Sequence, residues 1–301
     1  MKGLAKWLAA RPQNAVFGLV GAYILLPSPI FSGGALAALA LRNDARTTAQ
    51  YAGIAAGILV LLAAILSSPV GAVVMQIVAA WVPVVALVAL LVRFRSVTLV
   101  LQVTVIAAVV VTIGFYAVLG DPVPVWDGEL AGYAPALREL GIPAWADFIE
   151  DRQAVIAKQM TMLFVFTQWT LYVLALLLGY VLYQTYPDQK AVFGRICDLN
   201  FGRVLASIMA IASVIALLAD WTWLQNVAFV MFAPFCLQGL AVLHWLKTDK
   251  GWPVIVVIAA YVMLLLFNMA MVVGLAVVGY TDAWFDYRTS MAGRETGPKD
   301  T

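Results

Sequence analysis

The chain has 301 residues, of which 64% are hydrophobic and only 11% are charged. A soluble domain carries roughly a quarter charged residues, so this composition predicts an integral membrane protein. The net charge of +2 does not favour nucleic acid as a partner. The two cysteines, Cys197 and Cys236, lack the spacing of a disulfide framework or a zinc site.

The chain opens with a basic N-terminus and an uncharged block, residues 12–41, that contains Pro-Ser-Pro at 27–29. We expect the start to be retained, because no cleavage site follows a clean apolar core. The block either crosses the membrane once or turns back at the prolines. Proline removes a backbone hydrogen-bond donor, which favours a hairpin or broken helix with the N-terminus inside.

Charged residues divide the rest of the chain into long uncharged blocks, and about 20 apolar residues suffice for a helix to cross a bilayer. The block 47–92 is long enough for two spans, with a turn at Ser67-Ser68-Pro69. Backbone groups in lipid must be satisfied within the segment, which requires helices. We predict an all-α, polytopic helical membrane bundle of about eight or nine segments, as a single domain over 1–301. Later spans are predicted at 96–119, 160–183, 204–219, 226–246 and 252–279.

Charge sets the predicted orientation. The loop 120–152 carries seven acids against Arg138 and Arg152, whereas the loops on either side of it in the alternation are basic. Positive loops stay in the cytoplasm, so the segment 120–159 is predicted to lie outside and 184–203 inside. The tryptophans and short apolar-periodic pieces of the loop 120–152 are compatible with amphipathic helices on the membrane interface. The favoured interpretation is a solvated connector with aromatic anchors.

Gly53 and Gly57 lie one turn apart on the predicted helix 50–66, overlapping a second pair, Ala52 and Ala56. Small residues at this spacing let membrane helices approach closely. The pair therefore predicts either packing inside the bundle or a docking face for another membrane protein.

Asp220 is the one acid between two apolar segments, and Trp221, Trp223 and Asn226 follow it. A carboxylate within hydrocarbon is costly and would mark a ligand site. At a helix end near the interface it would instead serve as a cap or a headgroup-level anchor. In the first case the tryptophans would form a stacking wall and Asn226 would supply hydrogen bonds.

Gln168 and Asn268 are amides within predicted spans, where they either join helices by hydrogen bonds or line a polar cavity. The single histidine, His244, lacks metal-ligand spacing and lies near a basic turn, which favours a structural role. We find no Ser/His/Asp arrangement, P-loop, HExxH or paired carboxylates. We therefore expect no enzyme, no metal and no cofactor.

Two quoted stretches, QGLAVLHWLKTDKGW and TDAWFDYR, resemble the closing pattern of the YybS-like predicted membrane proteins of bacteria. That family is grouped with the S components of energy-coupling-factor vitamin transporters. The resemblance implies a multipass inner (plasma) membrane protein with an S-component-like fold and extra helices. S components bind a small solute near the outer face and dock on a coupling subunit through small residues of their first helix, whereas Gly53 and Gly57 lie on a later helix.

Two functions follow as hypotheses. The first is a small-solute-binding subunit like a transporter S component, with Asp220, Trp221, Trp223, Asn226, Gln168 and Asn268 as candidate ligand-binding residues. The second is a structural or assembly partner, or a homo-oligomeric membrane scaffold, with Gly53 and Gly57 on its contact face. In both, the lipid bilayer is the immediate surrounding.

Overall fold

A computed structural model of the protein describes residues 2–186 and 193–293, which form thirteen α-helices and no strand. The all-α helical prediction is confirmed. The helices are α1 (Lys2–Ala10), α2 (Pro12–Ile24), α3 (Ser28–Arg42), α4 (Ala45–Ile65), α5 (Val70–Phe94), α6 (Val97–Leu119), α7 (Val123–Glu139), α8 (Pro143–Gln184), α9 (Gly202–Ala219), α10 (Thr222–Phe232), α11 (Phe235–Asp249), α12 (Val254–Phe285) and α13 (Tyr287–Gly293).

Within these described ranges, six helical stretches are long and apolar enough to cross a membrane, and the chain is an integral, multipass membrane protein. They are α4, α5, α6, α8, α9 and the stretch Thr222–Asp249, which comprises α10 and α11.

Prolines and turn residues break the helices near the positions that the sequence predicts. The N-terminal block is two short helices that lie against each other, because the chain leaves helical geometry between Leu25 and Pro27. Likewise α4 ends at Ile65 and α5 begins at Val70, on either side of the predicted turn. These two breaks are confirmed.

Two predicted segments look different in the structure. The span 226–246 contains a break at Ala233 and Pro234, because proline has no N–H to continue the helix from α10 into α11. The span 160–183 is the second part of α8, a continuous helix of 42 residues that begins at Pro143. The loop 120–159 is thus helical through α7 and the start of α8, while its side of the membrane stays a prediction.

The helices form two compact units, one of residues 1–100 with 168–194 and one of residues 101–167 with 195–301. In the first unit, α3 contacts α2, α4 and α5 around a core that includes Leu19, Leu36, Leu39 and Trp81. In the second, α11 packs along α12, and α9 packs against α10. A single domain over the whole chain stays a prediction.

Glycines allow the backbones of α11 and α12 to touch. A Cβ added at Gly239 would overlap the carbonyl oxygen of Leu275, and one added at Gly279 would overlap that of Phe235. Backbone atoms cannot yield as a flexible side chain does, so both positions require the absence of a side chain. The interface between these helices therefore depends on two glycines, each of which faces the backbone of the other helix.

We predict that Gly279→Ala destabilises the protein by about 1–3 kcal/mol or more, because the added methyl group forces α11 and α12 apart. Gly274→Ala on the same helix is the matched control, since its Cβ would meet nothing within 4 Å. The measurement is the thermal unfolding midpoint in detergent. Equal midpoints for the two variants would contradict the close approach.

Candidate ligand-binding cleft

The predicted site around Asp220 has the geometry of an interface anchor. Asp220 ends α9 with φ 50°, and its Oδ1 accepts a hydrogen bond from Gln225 Nε2 at 2.9 Å. Trp221 and Trp223 stack with ring centroids 6.1 Å apart, and they are 52% and 40% exposed. Stacked, exposed tryptophans beside a helix end are typical of the headgroup region.

Asn226, by contrast, is buried and fully engaged. Its Oδ1 accepts from the Met162 N–H at 2.9 Å, and its Nδ2 lies within 3.0 Å of the carbonyl oxygens of Lys158 and Thr222 and the hydroxyl of Tyr116. Lys158 and Met162 lie four residues apart on α8. The Asn226 amide therefore bonds both to the Lys158 carbonyl and to the Met162 N–H, two groups that pair with each other in a regular α-helix. Its hydrogen bonds join α10 to α6 and α8, which leaves no free polar atom for a solute.

The two remaining amides are not brought to this position by any described contact. Gln168 is half-buried on α8, belongs to the first compact unit, and makes no side-chain hydrogen bond within the described residues. Residue 268 lies in α12, and the side chain of Asn268 is outside the part that the structure describes.

Gly53 and Gly57 lie on an exposed face of α4, where a Cβ would meet nothing within 4 Å. Neither glycine therefore closes a helix contact within the described chain. The glycines that do so are Gly18, Gly33, Gly34 and Gly179 in the first unit, and Gly239 and Gly279 in the second.

A buried polar cluster joins the C-terminal end of α12 to α11. Asp282 is fully buried, and its Oδ2 accepts from Arg288 Nη2 at 2.6 Å and from Gln238 Nε2 at 2.7 Å. Arg288 Nη1 donates to the carbonyl of Cys197, and Gln238 Oε1 accepts from the N–H of Phe201. Sequence reasoning alone assigns these residues no role. An acid and an arginine six residues apart at the end of a long uncharged block are the signal that could have done so.

The cluster fixes the chain after α12. Asp282 Oδ1 is buried with no hydrogen-bond donor among the described residues, so the carboxylate depends on its other oxygen for all its partners. Removing one member of a buried ion pair leaves an uncompensated charge, which costs about 3–5 kcal/mol. We infer that the cluster is a structural lock.

Asp282→Ala and Arg288→Ala should each lower the free energy of unfolding by several kcal/mol, while the double variant loses clearly less than the sum. Denaturant unfolding in mixed micelles measures the free energy of unfolding of the wild type, both single variants and the double variant. Arg138→Ala is the control, because Arg138 pairs with Asp147 and Glu150 in an exposed position. Additive losses would show that the two charges do not stabilise each other.

A cleft of about 1150 Å³ lies between α4 and α5 in the first unit, with Leu36 of α3 at its floor. The α4 wall consists of short side chains, Ala45, Ala49 and Ala52, which recur on one helix face and leave space in front of them. The facing wall on α5 is apolar and consists of Val82, Val85, Val88, Ala89 and Val92.

Trp81 closes one end of this cleft. Its indole N–H donates to Ser32 Oγ at 3.2 Å, and that hydroxyl donates to the carbonyl of Ser28 at 2.6 Å. The ring of Tyr23 meets Trp81 edge-on at 6.4 Å. Because its polar atom is engaged away from the cleft, Trp81 contributes only its apolar ring to the lining.

The opposite end is polar and basic, with Asn43, Thr48, Arg93 and Arg95. The Thr48 hydroxyl donates to the backbone carbonyl of Asp44 at 3.0 Å, and the Arg95 guanidinium lies 5.8 Å from the Phe193 ring centroid. Arg93 is exposed and has no ion pair or hydrogen bond within the described residues. In the sequence the arginines indicate only orientation. The signal that could have revealed the cleft is the series of alanines at 45, 49 and 52 together with the two arginines at the C-terminal end of α5.

No protein-family model, curated protein or solved structure matches the chain. Among the described residues, no group of three or more histidines, cysteines and acids could hold a metal ion. The function is therefore argued from the geometry of the cleft.

Proposed function

We propose that the protein is a non-enzymatic, solute-binding component of the bacterial inner (plasma) membrane, and that the cleft between α4 and α5 holds the solute. The observation that carries this proposal is the cleft itself, at about 1150 Å³ with apolar walls and four polar residues at one end. Small-molecule sites are cavities of roughly 300–1,000 Å³ with mostly apolar linings and a few convergent polar groups.

The resemblance of the C-terminal stretch to the YybS-like family supports the same class of function, since that family is grouped with transporter S components. The location differs from the S-component expectation of an outer site near Asp220 and Trp223. There Asp220 and Asn226 are hydrogen-bonded within the protein, whereas the cleft has room and Arg93 has no hydrogen bond or ion pair within the described residues. A transport role would require a coupling subunit as the partner.

Filling the cleft should abolish solute binding. We expect a panel of vitamins, nucleobases and lipids to include a compound that raises the unfolding midpoint of the wild-type protein in detergent. A ligand at a hundred times its dissociation constant stabilises the folded state by about 2.7 kcal/mol. Ala49→Leu with Ala89→Leu places branched side chains on both walls and should remove the shift.

Ala64→Leu with Ala86→Leu is the matched control, because both alanines are exposed on the same two helices and neither lines the cleft. This pair should keep the shift. A panel without any stabilising compound, or an equal shift in both double variants, would refute solute binding in the cleft.

The alternative function, an assembly partner or homo-oligomeric scaffold, has one observation in its favour. Gly53 and Gly57 present a smooth, exposed strip on α4 that no other described helix covers. Small residues of this kind allow a second helix to approach closely in lipid.

If α4 mediates self-association, Gly53→Leu with Gly57→Leu should convert an oligomer into a monomer with an unchanged unfolding midpoint. The fold should survive because the new side chains meet open space. Light scattering coupled to gel filtration reports the oligomeric state. A monomeric wild-type protein, or an oligomer that persists in the variant, would exclude self-association through this strip.

A further inference from the structure

The charged side chains at the basic end of the cleft are all cationic. Arg93, Arg95 and the Asn43 amide supply donors, and no carboxylate lines the cleft. We infer that the solute is an anionic amphiphile, a lipid whose acyl chains lie along the apolar walls and whose negatively charged head group meets Arg93 and Arg95. This inference rests on the proposed solute-binding function and names its ligand class.

The length of the cleft fits a chain that spans one leaflet. From Trp81 to Arg93 the α5 wall covers twelve residue steps, or about 18 Å at 1.5 Å per residue. Half of a hydrocarbon core of about 30 Å is about 15 Å. A lipid with its head group at the arginines would therefore end its chains near the Trp81 ring.

Arg93 is the residue best placed to recognise the head group. Arg42 precedes the cleft residue Asn43 in the sequence. Its guanidinium donates to the carbonyl of Ala9 at 3.2 Å and lies 4.9 Å from the ring centroid of Tyr186. Arg93 has no such partner among the described residues, and its side chain is exposed. An exposed guanidinium with free donors suits a phosphate oxygen.

The nearest acid in sequence, Asp44, does not neutralise this end. Its carboxylate caps α4 and accepts hydrogen bonds from the Thr47 hydroxyl at 2.6 Å and the Thr47 N–H at 3.1 Å. These hydrogen bonds lower the pKa of Asp44, the hydroxyl contributing most. The carboxylate thus serves the helix end, and Asp44 does not line the cleft.

A second apolar cleft, of about 510 Å³ in the other unit, lacks this complementarity. Its polar residues are already used: Gln102 donates to the carbonyls of Asn200 and Phe201, and Arg203 donates to the carbonyl of Trp284. Both clefts offer apolar walls. Only the first of these two combines them with a cation that has no protein partner in the described chain.

The test titrates three probes into the full-length protein in a neutral detergent: dioleoylphosphatidylglycerol, dioleoylphosphatidylcholine and glycerol 1-phosphate. The unfolding midpoint and native mass spectrometry report binding. We expect the anionic lipid to bind more tightly than the zwitterionic lipid with the same chains, and the head-group fragment alone to give no shift. Ala49→Leu with Ala89→Leu should abolish the lipid preference.

Arg93→Gln should weaken binding of the anionic lipid about fivefold, the loss expected for one cation beside an anionic membrane lipid. Arg46→Gln removes the same charge from an exposed arginine of α4 that does not line the cleft, and it should change binding little. The midpoints without lipid should match, since neither arginine has a described polar partner.

Equal stabilisation by the two lipids, or equal losses in the two arginine variants, would overturn the assignment of an anionic amphiphile. Binding of glycerol 1-phosphate as tight as that of the lipid would overturn it as well. If another compound binds and the cleft-filling pair removes its shift, the ligand class is wrong while solute binding in the cleft stands.

Discussion

Hydrocarbon offers no hydrogen-bond partners, and the arrangement of polar side chains in this protein follows from that constraint. For most of the buried groups the protein itself supplies the partners; Asp282 Oδ1 is an exception. The indole of Trp81 uses Ser32, and the Tyr180 hydroxyl accepts from the N–H of Phe193 and donates to the carbonyl of Gly194. The amides of Asn226 and Gln238 each join several backbone and side-chain groups. Against this background, polar groups without partners are informative.

The sequence predicts the ends of the helices much better than their faces. Prolines and charges are local signals, so the break near Pro27 and the turn between α4 and α5 follow from composition and backbone chemistry. Proline chemistry also accounts for the break at Pro234, although the predicted span 226–246 runs through it. The first half of α8 was harder, because its charges resemble those of a solvated connector and conceal the continuity of the helix.

The sequence predicts less well which face of a helix packs against the protein, because an uncharged block has no polar side to indicate its orientation. On α4 the sequence does not distinguish two sets of small residues that could pack against another helix, namely the glycines at 53 and 57 and the alanines at 49 and 52. In the structure the glycine face is exposed, while Ala49 and Ala52 line the cleft. The candidate residues near Asp220 shared a short stretch of sequence, yet Trp221 and Trp223 are exposed and Asn226 is buried. A short separation in sequence therefore does not imply shared surroundings.

The 42 residues of α8 also set a minimum reach beyond the bilayer. A straight helix of this length measures about 63 Å, while a hydrocarbon core of about 30 Å occupies about 39 Å of it even at a tilt of 40°. About 24 Å of α8 then stands in the headgroup layer and water. Ring contacts pack α7 against α6 and α8, and they involve Trp126, Phe115 and Phe164. In addition, Gln153 Nε2 donates a hydrogen bond to Asp127 Oδ1. Part of α8, together with the α7 residues that pack against it, therefore lies outside the hydrocarbon core, within reach of antibodies, proteases and soluble domains that never enter the membrane.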